Sequence, residues 1–219
     1  MIISNFLFSE PGYPRTLHLL AQHIQQPAFP EALQTFLYLH DHPDTEDLPA
    51  ILPPFDKHIR VHHSATALYY SPSDVCGAGG LIRETIRSSP SYRGELRRDT
   101  VFVSVDSTDP GIKGIMVARV LLFFSFNYRR RNFSCALVRW FVYDGRDADT
   151  GMWMVCPERG RSMLQVIDTD SIVRGAHLLP VHGNSKVPQR FSYFATLDSY
   201  RSFFVNHFVD HHAHELILG

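Results

Sequence analysis

Two long apolar segments joined by a short polar one restrict the possible folds of this chain more than any other feature. The first spans residues 114–126 (GIMVARVLLFFSF), the second spans residues 133–143 (FSCALVRWFVY), and NYRRRN separates them. Both segments are rich in β-branched and aromatic residues, which favour strands. The sequence therefore predicts one long β-hairpin with three arginines at its tip.

Both predicted strands are apolar on both of their faces. Arg119 is the one charged residue of the first strand, and Arg139 is the one charged residue of the second. Because alternate residues of a strand point to opposite faces, other parts of the protein must cover these strands on both sides. This requirement predicts a curled antiparallel sheet or a small β-barrel wrapped by other elements. Within it, Arg119 and Arg139 are expected to pair with acids or carbonyl groups.

The remainder of the chain predicts an α+β protein. Helical patterns are expected over residues 15–26, over residues 30–40, from Leu81 onward behind a glycine-rich turn, and from about Asp198 to Leu218. Shorter strands are expected near residues 100–105, 151–155 and 164–167. We divide the chain into a helical arm with a proline-rich connection, residues 1–60, and a β-core domain that ends in the C-terminal helix, residues 61–219.

Cysteine usage and hydropathy bear on the location of the protein. Cys76, Cys135 and Cys156 are odd in number and far apart, which indicates neither a disulfide framework nor a cysteine-rich zinc site. A reducing intracellular environment fits this usage. The longest apolar run contains Arg119 and is too short to span a membrane, and the N-terminus is not typical of a signal peptide. We expect no membrane partner.

The basic residues are unevenly distributed, although the formal net charge is only −1. Residues 83–143 carry eleven basic and five acidic groups, whereas residues 1–82 carry three basic and eight acidic groups. A basic segment of this kind is typical of a surface that binds a polyanion. Alternatively, it faces the acidic segments of the same molecule.

The arginines give the nucleic-acid prediction its residues. Side chains at a hairpin tip reach phosphates freely, and a second group of arginines lies on or just after the helix predicted from Leu81. The candidate nucleic-acid-binding residues are Arg129, Arg130, Arg131, Arg83, Arg87, Arg93, Arg97 and Arg98. The alternative is a solvated turn and a solvated helix face, which is the commoner role of a charge run.

Several stretches of the chain closely resemble, in the same order, the C-terminal region of Plavaka-type transposase proteins. These stretches include SATALYYSPSDVCGAGGLIRETIRSSPSYRG, GIKGIMVARVLLFFSF, CALVRWFVYDG, SIVRGAHLLPVHG and FVNHFVDHH. Plavaka elements are CACTA-like DNA transposons of mushroom-forming fungi. The resemblance implies a non-catalytic accessory module whose catalytic core would lie upstream. It also implies a nuclear location, with DNA, chromatin or other transposase subunits as partners.

A second resemblance concerns the order of the strands. VARVLLFFSF, ALVRWFVYDG and DTDSIVRGAHLLPVH are similar to the strands of BAH domains, which are β-barrel modules that bind chromatin. Four aromatic residues on or near these strands, Trp140, Phe141, Tyr143 and Trp153, suggest an aromatic cage for a methylated lysine. We take Trp140, Tyr143 and Trp153 as the cage candidates. The alternative is that these aromatic side chains pack in the core.

Two other classes of function stay open. A transposase or nuclease of the DDE type needs three carboxylates that hold two metal ions on an RNase H-like fold. Asp106 follows a predicted strand, and Asp144, Asp149 or Glu158 are candidate partners. These acids lie in turn-like contexts, and residues 144–190 show no helical period, which the RNase H-like fold requires. The other class is an assembly module that binds other transposase subunits and no nucleic acid.

The C-terminal stretch FVNHFVDHHAHELILG is rich in histidine and raises the question of a metal site. On a continuous helix, His207 and His214 lie roughly 10 Å apart along the axis, which is too far for one zinc ion. His207 and His211 are the closer pair, but they need further ligands. The simpler alternative is a helix that packs on the core with hydrogen-bonded histidines, and we expect no metal or other cofactor.

Overall fold

The computed structural model describes residues 2–3, 9–45, 47–72, 78–92, 95–105, 111–158, 163–183 and 192–218 of the 219-residue chain. The strands are β1 Ile2–Ile3, β2 Ile59–His62, β3 Ser64–Tyr70, β4 Leu81–Tyr92, β5 Glu95–Arg98, β6 Thr100–Ser104, β7 Ile115–Tyr128, β8 Arg131–Arg146, β9 Trp153–Pro157, β10 Leu164–Asp168, β11 Ile172–Gly175, β12 Leu178–Pro180 and β13 Phe203–Val205. The α-helices are α1 Leu17–His23, α2 Phe29–Asp41, α3 Thr196–Ser199 and α4 His211–Leu218. None of these helices is long and apolar enough to cross a membrane.

The predicted hairpin is confirmed and forms the centre of the fold. Strands β7 and β8 pair from Ala118 and Trp140 up to Tyr128 and Arg131, and a two-residue turn joins them. The other edge of β7 pairs with β6 near its start and with β2 near its end. The other edge of β8 likewise pairs with β10 and then with β9. Both hairpin strands are therefore interior strands over most of their length.

The main sheet is antiparallel and strongly curled, so that it forms a half-barrel. Its strands follow the order β11-β6-β7-β8-β9-β13-β12, with β2 and β10 as additional partners of the two central strands. A second sheet has the order β1-β3-β4-β5. The predicted α+β class with a curled antiparallel sheet is thus confirmed.

Two layers cover the two faces of the curled sheet, as the apolar pattern predicts. On the inner face, Ala65 and Ile86 of the second sheet contact the central strands in one cluster with Val120 and Val138. The outer face is covered in two parts. Helices α1 and α2 pack on one part, in a cluster that contains Leu20, Phe29, Leu33, Phe124 and Leu137. Helix α4 packs on the other part, in a cluster that contains Val117, Phe141, Phe203 and Ile217.

The helix predicted from Leu81 is wrong, because this segment is strand β4. Its first part pairs with β3, from Leu81 opposite Tyr70 to Arg87 opposite Ser64, and its later part pairs with β5. The segment carries β-branched Ile82, Thr85 and Ile86, which favour strands once a partner is present. The isolated pattern could not reveal that partner, which lies in β3.

The long C-terminal helix predicted from Asp198 to Leu218 is also wrong. The segment contains the short helix α3, then strand β13, and then helix α4. Phe203 pairs with Val155 of β9 and with Pro180 of β12, which forces an extended backbone there. The Asp210 carboxylate accepts a hydrogen bond from the Ala213 amide at 2.8 Å, so a new helix begins at His211.

Candidate nucleic-acid interface

Two of the three arginines at the hairpin tip contact another side chain. Arg129 forms an ion pair with Asp41, with 3.1 Å between its Nη2 atom and a carboxylate oxygen. The Arg131 guanidinium lies over the ring of Phe133 at 5.1 Å. Arg130 is exposed in the turn, where its φ of 64° lies in the left-handed region. All three predicted phosphate ligands are exposed, and Arg130 is the one without an ion pair or a cation–π contact within the described part of the chain.

The other predicted arginines lie on β4 and β5 instead of a helix. Arg83 and Arg87 belong to β4, Arg97 and Arg98 belong to β5, and Arg93 lies outside the described residues. The Arg97 Nε atom donates a hydrogen bond of 2.8 Å to Asp99. The Asp99 carboxylate also accepts the Arg87 amide at 2.9 Å. The charge of Arg97 is thus balanced by a neighbouring acid.

The structure does not bring these two groups of arginines together. Arg98 lines a small cavity with Leu121 and Leu122, which lie near the middle of β7. Tyr128, beside the hairpin tip, is six residues further along the strand. At 3.3 Å per residue, the two groups are separated by about 20 Å. The predicted nucleic-acid-binding arginines therefore belong to two separate surfaces.

A different arginine cluster forms where the two parts of the outer layer meet. We define the arginine seam as Arg98, Arg119 and Arg139. Arg119 and Arg139 are directly paired across β7 and β8. Since Ala118 and Trp140 belong to the inner cluster, their neighbours Arg119 and Arg139 point to the outer face. They separate the apolar cluster under α1 and α2 from the cluster under α4.

The polar partners of the seam come from both outer layers. Arg119 binds Asp198 of α3 through two hydrogen bonds, of 2.6 Å and 3.1 Å, in a bidentate arrangement. Arg139 donates to the side-chain oxygen of Gln26 at 3.4 Å, just after α1. These contacts confirm that Arg119 pairs with an acid and show that Arg139 binds an amide oxygen.

The electrostatics of the seam are unbalanced. Burial lowers the pKa of Arg98, and the nearby positive charges of Arg119 and Arg139 lower it further. The hydrogen bond from Arg119 lowers the pKa of Asp198, against the effect of burial, and the three arginine charges act in the same direction. Three guanidinium groups therefore share this one carboxylate, which leaves two positive charges among these four groups. Like charges paired directly across two strands repel each other.

The seam has a buried floor and an accessible rim. The Arg119 side chain is only 11% exposed, and its buried Nε atom has no hydrogen-bond partner within the described part of the chain. Arg139 is exposed and Arg98 is half-buried. A cavity of about 440 Å³ lies beside Arg98, and its walls include Glu84, Arg174 and Thr196. Arg139 and part of Arg98 are thus accessible to solvent, whereas the Arg119 side chain is largely buried.

The aromatic-cage candidates do not converge. Trp140 packs on the inner face and donates a hydrogen bond from Nε1 to Gln165 at 2.9 Å. Tyr143 and Trp153 are in contact with each other on the outer face, with 5.8 Å between their ring centroids. The Arg146 guanidinium lies 5.8 Å from the Trp153 ring. The three side chains therefore do not enclose one space, because Trp140 lies on the opposite side of the sheet.

The histidines are also arranged differently from the prediction. His207 lies in the turn after β13, and its ring is 5.5 Å from the ring of His214, whereas His211 pairs with Glu215 at 3.2 Å. The break in the helix brings together His207 and His214, which a continuous helix would separate. Among the described residues, no group of three or more histidine, cysteine or acidic side chains is placed to hold a metal ion.

One buried polar network has no counterpart in the sequence-based predictions. Arg174 of β11 is 4% exposed, and both its Nη atoms donate to the Asp210 carboxylate at 2.6 Å. Its guanidinium lies over the Tyr69 ring at 4.8 Å from the ring centroid. The His212 ring stacks on the same Tyr69 ring, with 4.4 Å between the two centroids. This network attaches α4 to the second sheet. Arg174 follows the apolar pair Ile172 and Val173, which is the one sequence indication of its burial.

The acids proposed for metal-dependent catalysis are only partly described. Asp106 lies outside the described residues, Asp144 is exposed near the end of β8, and Asp149 is exposed in the turn that follows. Every strand pair of the described sheets is antiparallel. An RNase H-like fold alternates strands with helices, and the described part of residues 144–183 contains no α-helix.

Comparison with known proteins gives no assignment. The sequence matches none of the protein-family models, and a search of the curated proteins likewise returns no match. The resemblances to Plavaka-type transposase proteins and to BAH domains rest on the stretches quoted above. The arginine seam is the feature of the structure from which a function is best argued.

Proposed function

We propose that this chain is a non-catalytic module that binds duplex DNA through the arginine seam. In this proposal, Arg98 and Arg139 contact backbone phosphates, and Arg119 supports them from below. The module would serve as an accessory part of a transposon-derived protein and act in the nucleus. The similarity to Plavaka-type sequences supports this context, and the geometry of the seam supports the choice of ligand.

The observation that carries the proposal is the unbalanced charge of the seam. Arg119 and Arg139 are paired directly across β7 and β8, and both of their charges act on Arg98. Asp198 is the one carboxylate among the charges that act on Arg98. A phosphate placed between Arg98 and Arg139 would relieve this repulsion. The guanidinium group suits that role because its planar set of donors matches the oxygens of a phosphate.

The arginines of the seam are also held in fixed positions. The seam lies between two apolar clusters on the outer face of the sheet, so its arginines are attached to rigid strands. Donors held by strands lose less conformational freedom on binding than donors on a loop.

The test is a titration of the protein into a labelled random duplex of 20 base pairs, followed by fluorescence anisotropy at several salt concentrations. We expect the double variant Arg98→Gln, Arg139→Gln to bind at least ten-fold more weakly at low salt. The slope of log affinity against log salt should fall by about two, because two phosphate contacts are lost. A matched control is Arg129→Gln, Arg130→Gln, which removes the same charge at the hairpin tip.

A variant that makes the seam more positive provides a second test of the proposal. Asp198→Asn removes the carboxylate and adds one net positive charge to the seam, so we expect tighter binding than that of the unaltered protein. Unchanged affinity in the Arg98 and Arg139 variant would overturn the proposal. A loss confined to the tip variant would overturn it as well, because it would move the contact to the hairpin.

A further inference from the structure

A second surface lies at the far edge of β8, where Leu164 of β10 pairs with Arg139 of the arginine seam. Helix α2 and strand β10 enclose a groove with a volume of about 590 Å³. Its wall is mainly apolar and includes Ala32, Phe36, Leu39, Leu48, Leu164 and Val166. Leu39 and Leu48 are 42% and 50% exposed. Burying such side chains against a partner would be favourable, at roughly 25 cal/mol per Å² of apolar area.

One wall of the groove is the edge of a sheet. Across the described residues, β10 pairs with β8 alone. The Trp140 amide donates to the Met163 carbonyl at 3.2 Å, so this pair is a hydrogen-bonded one. Because hydrogen-bonded pairs alternate along antiparallel strands, the next such pair is Gln165 with Val138. The amide and carbonyl groups of Leu164 and Val166 therefore point away from β8, toward the open edge.

The side chains at this edge are oriented to receive a strand. Leu164 and Val166 belong to the apolar cluster under α2, so they lie on the groove face of β10. A segment added alongside β10 would place every second side chain on this same face. Those side chains would enter the space between Leu39, Leu48 and Phe36. The free amide and carbonyl groups of β10 and the apolar groove beside them thus both favour a ligand in an extended conformation.

The charges around the groove indicate the composition of that ligand. Glu31 lines the groove, and Asp44 and Asp47 lie on the exposed connection that leads to Leu48. Within the described chain, none of these three acids forms an ion pair. A lysine or arginine next to the apolar residues of the ligand would complement them.

We infer that the groove between α2 and β10 binds an extended segment of a partner protein by addition of a strand to β10. The segment has apolar residues at alternate positions and a basic residue beside them. It forms main-chain hydrogen bonds with Leu164 and Val166 and buries its apolar side chains against α2. This site would give the chain a protein partner in addition to DNA.

The test uses a phage-displayed library of random 12-residue peptides as the probe, with the whole chain immobilised. We expect enriched peptides that carry alternating apolar residues and a lysine or arginine. Synthetic versions should bind the Leu39→Glu variant at least ten-fold more weakly. They should bind Leu19→Glu as they bind the unaltered protein, because Leu19 is likewise an exposed leucine but lies on α1, outside the groove.

Main-chain recognition has its own control. Two versions of each peptide carry methyl groups on one or the other alternate set of amide nitrogens. We expect binding to be lost when the set that faces β10 is methylated and kept when the outward-facing set is methylated. DNA affinity should be unchanged in Leu39→Glu, which separates this site from the arginine seam. No enriched peptide, or equal binding to Leu39→Glu and Leu19→Glu, would overturn the inference. A dimer in sedimentation that Leu39→Glu dissociates would also overturn it, since a second copy would then occupy the groove.

Discussion

At the scale of single residues, the Asp210 carboxylate has two structural roles. It accepts both Nη donors of the buried Arg174, and it caps helix α4 through the Ala213 amide. Burial alone would raise the pKa of its carboxyl, but the hydrogen bonds from Arg174 and Ala213 hold this pKa below its usual value. The carboxylate therefore stabilises the fold at neutral pH, and this contribution is lost as the pH falls through the folded-state pKa.

Replacement of Asp210 by alanine should be strongly destabilising. The change leaves the Arg174 guanidinium buried without its partner, which costs about 3–5 kcal/mol. For a chain of this size, the midpoint of thermal unfolding should fall by about 10 °C. Circular dichroism during heating measures it, and Asp149→Ala, in an exposed turn, is the control. Equal midpoints for the two variants would contradict this role of the pair.

His207 gives the chain a defined response to acid. It is 4% exposed, and its Nδ1 atom has no partner within the described residues. Burial lowers its pKa below the ordinary value of 6.5, and the nearby His214 lowers it further. The unfolded chain thus binds a proton at higher pH than the folded chain, so stability decreases as the pH falls below about 6.5.

His207→Leu should reduce this acid sensitivity. Leucine has no group to protonate and removes the unpaired Nδ1 atom, so stability at pH 7 should change by less than about 1 kcal/mol. The decrease in unfolding temperature between pH 7 and pH 5 should become smaller than in the unaltered protein. His18→Leu, at an exposed position of α1, should leave that decrease unchanged. An unchanged decrease in His207→Leu would refute the assignment.

At the scale of elements, the turn between β7 and β8 is strained. Arg129 and Arg130 have φ values of 47° and 64°, as the two central residues of a type I′ turn require. This conformation suits glycine and asparagine, whereas an arginine there is disfavoured by about 1 kcal/mol. The turn nevertheless carries arginines, which is consistent with a surface role for their charges.

Arg130→Gly should therefore stabilise the protein by about 1 kcal/mol, since glycine adopts a positive φ without steric cost. The midpoint of urea unfolding should rise accordingly. The same substitution at Arg83, an exposed position inside β4, should lower the midpoint, because glycine weakens a regular strand. If both substitutions shift the midpoint in the same direction, the turn geometry is not the cause.

Elements differed in how far the sequence predicted them. The β7–β8 hairpin was predicted because its apolar pattern is long and its turn is short. Strand β4 was mistaken for a helix, since its conformation depends on pairing with β3. The long terminal helix was wrong for a similar reason, because β9 and β12 hold Phe203 in a strand. Contacts with other segments of the chain decided the two cases in which the prediction was wrong.

At the scale of the whole molecule, the candidate site was only partly predictable. The register set by the hairpin turn would place Arg119 opposite Trp140. Arg119 pairs with Arg139 because the register shifts by one residue between Val120 and Leu122, which the sequence pattern does not reveal. Their convergence with Arg98 and Asp198 depends on how β5 and α3 pack on the outer face. The pattern of the sequence contains the charges, but the packing of the layers determines which charges become neighbours.

The two-sided burial of the central hairpin also has a consequence for biosynthesis. Its two strands are adjacent in sequence and can pair within microseconds, but their covers come from distant parts of the chain. Helices α1 and α2 precede the hairpin by about 70–100 residues, so a ribosome releases one cover before the apolar strands emerge. In a full-length denatured chain all segments are present at once. Its uncovered apolar hairpin can therefore associate with the hairpins of other molecules before its own helices cover it. Folding during translation should therefore give a higher yield of native protein than refolding of the full-length chain.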